Sequence, residues 1–87
     1  MKTFLISYDL NGDGNKEVLS KAIKDYGIWA QITNSLWAVQ TESSVLDVRE
    51  KLNKLLPEGS RLMVVKSGAE SAWRNVMCQN DWLQANL

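Results

Sequence analysis

The residues with the most chemistry in them lie in one short run, Asp9-Leu10-Asn11-Gly12-Asp13-Gly14. Oxygen donors at its first, third and fifth positions and glycine at its sixth match the opening of a calcium-binding loop, in which carboxylates and amides converge on a hard cation. The match stops there. Position nine is Glu17, but position twelve is Ser20, where a bidentate glutamate should close the shell. Asp9, Asn11 and Asp13 are therefore candidate metal ligands, with a second reading open: Asn, Asp and Gly also serve turn geometry and capping. Asp9 stands apart because an alternating segment places it at the carboxyl end of a strand. There a carboxylate can hold Mg²⁺ with waters, or meet its own copy across a twofold axis to form a divalent-metal site that neither chain has alone. Two such carboxylates would repel each other without the ion.

Composition narrows the chemistry. The 87 residues contain no histidine and one cysteine, Cys78. Histidine bases, Cys-His dyads, zinc fingers and an internal disulfide are excluded. Ten cations balance ten anions, so the surplus of Lys and Arg that usually drives indiscriminate nucleic-acid binding is missing. A chain of this length buries about 60 to 65% of its extended-state surface, which predicts one small domain with a modest core. No apolar run approaches the roughly 20 residues of a membrane span and no signal peptide is evident, so a cytoplasmic protein without membrane association is expected.

The elements that must carry Asp9 follow from periodicity. Lys2 to Asp9 sets Phe4, Ile6 and Tyr8 against Leu5, Ser7 and Asp9, the period of a strand. Val18, Leu19, Ala22, Ile23 and Tyr26 form a helical stripe after Lys16, with Asn15 as N-cap and Gly27 as stop. Ile28 to Thr33 and Leu36 to Gln40 read as a hairpin turning at Asn34-Ser35. Ser44, three residues before Asp47, resembles a capping box for a helix carrying Val45, Val48, Leu52 and Leu55, ended by Pro57 and Gly59. Arg61 to Lys66 holds four apolar residues without alternation, which predicts a strand buried on both sides, central or covered. Tyr8 alternates with Phe4 and Ile6, so a core role is expected over base stacking.

The order βαββαβ predicts an α+β, ferredoxin-like sandwich over residues 1–66: a four-stranded antiparallel sheet with two helices on one face. Residues 67–87 form a tail whose Trp73, Val76, Met77, Trp82, Leu83 and Leu87 are too apolar to remain in water, ending in a short helix capped by Asn80 or Asp81. Two short helices cannot cover all this apolar surface, including Trp29 and Trp37. The tail, a second copy of the chain, or both should cover the other face, and a homodimer is the leading expectation.

The opening Met1-Lys2-Thr3-Phe4-Leu5-Ile6-Ser7-Tyr8-Asp9-Leu10, the central Ser35-Leu36-Trp37-Ala38-Val39 and the run Arg61-Leu62-Met63-Val64-Val65 resemble the SinR-like branch of the Cas-two-like proteins. Relatives of this kind include CRISPR adaptation proteins and VapD-type ribonucleases. The resemblance spans nearly the whole chain and implies a ferredoxin-like homodimer. It also implies a Mg²⁺ role for Asp9, as the catalytic carboxylate if the protein is a nuclease cleaving RNA or DNA. Lys16, Arg61 and Lys66 are candidate phosphate contacts in that case, or solvated surface charges. The absence of histidine, the balanced charge and the single plausible catalytic carboxylate favour instead a non-enzymatic module that binds another protein, a nucleotide or a nucleic acid without cutting it, in mobile-element defence or counter-defence.

Overall fold

A computed structural model describes residues 1–11, 16–68 and 70–87. Asn15, expected as a helix cap, and Asp13, a candidate ligand, lie outside the described residues. Seven elements follow in chain order: β1 (Lys2–Asp9), α1 (Lys16–Lys24), β2 (Ile28–Thr33), β3 (Leu36–Thr41), α2 (Val45–Asn53), β4 (Arg61–Lys66) and α3 (Asn80–Asn86). The four strands form one antiparallel sheet ordered β2-β3-β1-β4.

Strict alternation in β1 sends Phe4, Ile6 and Tyr8 to one face, where they are buried with Trp37 and Val39 of β3, Leu19 and Ile23 of α1, and Val48 and Leu52 of α2. This is the main core, with both longer helices on the same face. Local signals place those helices. Leu19 and Ile23 stand four residues apart, one turn, and Glu17 near the start and Lys21 and Lys24 near the end of α1 complement its dipole. Gly27 then turns the chain at φ +92°, a conformation that costs a side-chain-bearing residue. For α2, Ser44 is the N-cap and its hydroxyl accepts the Asp47 N–H at 3.1 Å.

The opposite face is covered only in part. Ile32 of β2, Ala38 of β3 and Leu83 of α3 form a second buried cluster, packed by Trp73, Val76, Cys78, Trp82 and Leu87 of the tail. The tail is pinned by polar contacts as well. Met77 N–H donates to the Ile32 carbonyl at 2.9 Å, and Gln40 Nε2 donates to Asn86 Oδ1 at 2.6 Å. The expected caps of α3 are not used: Gln79 takes the N-cap position, and Asn80 Oδ1 accepts from Trp73 Nε1 at 3.1 Å instead.

The expectation for β4 is overturned. It pairs with β1 alone and forms an edge of the sheet. Leu62 and Val64 pack on the main core, whereas Met63 is 64% and Val65 38% exposed on the other face. Unbroken apolarity in β4 therefore reflects one core-facing set and one bare set. The tail clusters with Leu5, Leu36, Ala38 and Ile32 and includes no β4 residue.

Candidate functional site

Asp9 and Arg61 are register partners where β1 ends and β4 begins. Direct pairing of the strands puts both side chains on the same face, and Arg61 Nη1 donates to Asp9 Oδ2 at 2.9 Å. Ser7 and Met63, the next register pair on that face, continue the patch. With Ser35 at the hairpin turn they line a cleft of about 340 Å³. Asp9, Arg61, Ser7 and Met63 thus share the face opposite α1 and α2, on the half that the tail leaves bare.

Below the cleft the support is rigid. Tyr8 points into the core, where its hydroxyl accepts from Trp37 Nε1 at 3.2 Å and donates to the Asn34 carbonyl at 3.3 Å. That places Tyr8 in the core and ties the end of β1 to the β2–β3 turn. Tyr8 N–H also donates to the Ser35 carbonyl at 3.1 Å. Asp9 is therefore an exposed carboxylate on a fixed backbone, as its place at the end of an alternating strand predicts.

Asn11 has a different job. Its backbone N–H donates to Ser60 Oγ at 2.9 Å and its side-chain nitrogen to the Glu58 carbonyl at 3.0 Å, bracing the loop after β1 against the turn before β4. Gly59, at φ +85°, makes room for this contact: a Cβ there would meet Asn11 Nδ2 at 2.7 Å. The brace holds Arg61 opposite Asp9.

Among the described residues no group of three or more His, Cys, Asp or Glu side chains could hold a metal ion. Asp9 is engaged by a guanidinium and Asn11 turns its amide nitrogen to a carbonyl, while Asp13, the third candidate ligand, lies outside the described residues. Two of the three candidate phosphate contacts, Arg61 and Lys66, do not converge. Arg61 is held by Asp9, and Lys66 projects from the opposite face at the far end of β4, about 17 Å along the strand. Lys16 begins α1. What the cleft offers is a carboxylate and a guanidinium side by side, two hydroxyls and an exposed thioether. Such a surface suits recognition by paired charges and apolar contact. Periodicity alone could not join Asp9 to Arg61, which are 52 positions apart. The cue available was that both stand at strand ends.

No protein-family model and no curated protein matches the chain. Among the described residues no helix is long and apolar enough to cross a membrane.

Proposed function

We propose that the protein is a ferredoxin-like, Cas-two-like homodimer that works as a binding or scaffold module in mobile-element defence or counter-defence. The element order βαββαβ with the sheet order β2-β3-β1-β4 supports the ferredoxin-like reading. The observation that carries the functional reading is the bare half-face of the sheet, where Met63 and Val65 adjoin the Asp9–Arg61 pair. An apolar patch beside complementary charges suits a self-complementary twofold contact, in which each Asp9 can meet the partner's copy of Arg61 as readily as its own. The dimer then presents nucleic acid or another protein with a surface built from two chains.

Binding without cleavage is favoured because Asp9 is the one carboxylate among the described residues lining its cleft, and Arg61 already pairs with it within the chain. The alternative is a Mg²⁺-dependent endonuclease, for which two Asp9 carboxylates from two subunits would hold the ion. Labelled RNA and DNA incubated with the protein in Mg²⁺ or EDTA separates the two. We expect no cleavage by wild type in either condition. Mg²⁺-dependent cleavage abolished by Asp9→Asn would overturn the module reading in favour of the nuclease.

A further inference from the structure

On its outer side β4 has no neighbouring strand among the described residues. The ladder shows which groups that leaves unused. Tyr8 N–H donates to the Ser35 carbonyl on the β3 side and Ser67 N–H donates to the Thr3 carbonyl, so Leu5, Ser7 and Asp9 turn their backbone groups to β4, where Val65, Met63 and Arg61 answer them. Leu62, Val64 and Lys66 therefore point their N–H and C=O groups away from the sheet, and no described residue bonds to them. Beside this edge a groove of about 150 Å³ runs between β4 and α2, lined by Val45, Leu46, Arg49 and Val64. Small-ligand pockets begin at roughly 300 Å³, so this groove is on the scale of a side chain. Leu46 is 55% exposed there. Lys66 stands on the same side of the sheet, about 7 Å beyond Val64, and makes no ion pair among the described residues.

From these features we propose that the β4 edge takes an extended, acidic segment of another protein as an added strand, with an apolar side chain in the α2 groove and a carboxylate against Lys66. An extended polypeptide offers donors and acceptors at the spacing of Leu62, Val64 and Lys66, and strand addition beside a groove that admits alternate side chains is a recurrent mode of peptide recognition. Charge decides against a second copy of this chain. The twofold register that pairs all three residues of each edge puts Val64 on the axis, which turns the two Arg49 side chains of adjoining grooves toward each other. An acidic segment meets Arg49 and Lys66 favourably instead. Glu50 engages one Arg49 nitrogen, and the other N–H groups of that guanidinium make no bond among the described residues. The inference rests on the binding-module reading only for the existence of a partner. It uses neither the bare half-face nor Asp9, so the two can fail separately.

Selection of a displayed library of random seven-residue peptides on the immobilised full chain, followed by calorimetry with the synthetic consensus peptide, tests it. Enriched sequences should carry an apolar residue and an Asp or Glu on alternate positions, and the consensus should bind saturably. Methylating every second backbone amide of the peptide should abolish binding in one phase and spare it in the other, because only alternate amides face β4. Leu46→Ala should weaken binding by at least about fourfold, the worth of one buried methylene, in a protein with unchanged circular dichroism. Lys66→Ala should weaken it by about twofold to fivefold, the range of an exposed ion pair, and remove the preference for an acidic residue. Lys21→Ala, whose lysine pairs with Asp25 on α1, should change nothing. The assignment is overturned if no such sequence is enriched, if methylation is tolerated in both phases, or if Leu46→Ala or Lys66→Ala binds like wild type. A consensus peptide that halves the mass of a wild-type dimer gives the edge to a second copy and overturns it as well.

Discussion

Leu83→Ala tests whether the tail is structural cover for the sheet or a loosely attached extension. Leu83 is 1% exposed and packs against Ile32 and Ala38, with no larger tail residue behind it in the same cluster as deeply buried. Removing a leucine from such a site costs about 2 to 5 kcal/mol, because the lost transfer free energy is joined by the cavity left behind. Taking about 3 kcal/mol, and a melting shift of about 4 to 8 °C per kcal/mol for a domain of this length, the midpoint should fall by roughly 12 to 24 °C. The loss is large against a total stability of about 4 to 13 kcal/mol at this size. Urea unfolding followed by tryptophan fluorescence is the assay. A lower midpoint with an unchanged slope would show that tail and sheet unfold together. A loss under about 1 kcal/mol, or an early transition involving only the tail tryptophans, would refute the idea that α3 closes the core's second face.

Two further outcomes follow from the charges. Asp9 and Arg61 side chains are 67% and 83% exposed, so their ion pair should contribute no more than about 1 kcal/mol to folding. Asp9→Asn and Arg61→Ala should each leave thermal stability nearly unchanged while weakening self-association, and a loss above about 2 kcal/mol in either would make the pair a folding element instead. Burial, followed by the negative charge of Asp47, raises the Tyr26 hydroxyl pKa above its ordinary 10.0. The unfolded chain then loses this proton first as pH rises, so its contribution is complete below about pH 10 and declines above it. Tyr26→Phe should therefore flatten the alkaline fall in stability seen in wild type, and parallel curves would contradict the assignment.

Much of the architecture could be read from local pattern because the responsible forces are local. Alternation in β1 reports its two faces, Ser44 and Asp47 form the capping contact their spacing predicts, and Asn34-Ser35 turns the hairpin. Errors arose where a distant partner decides. Leu62 to Val65 looked doubly buried because an apolar run carries no information about which face lacks a cover. Asn80 looked like a cap until Trp73, seven positions away, took its oxygen. At the site, Asp9 was legible as a carboxylate at a strand end, but its pairing with Arg61 depends on β1–β4 register and on the Asn11 brace. A cleft between β2 and the tail, lined by Trp29 and Trp82, was hidden for the same reason: Trp82 reaches it only after the tail folds back.

The twofold use of the bare half-face is the claim on which the functional reading turns, and solution mass measures it directly. Light scattering on the eluting peak at micromolar concentration should give twice the 9.8 kDa chain mass, with Met63→Lys falling to the single-chain mass while its circular dichroism stays that of wild type. A wild-type mass of one chain at that concentration, or a dimer indifferent to a lysine at position 63, would contradict it.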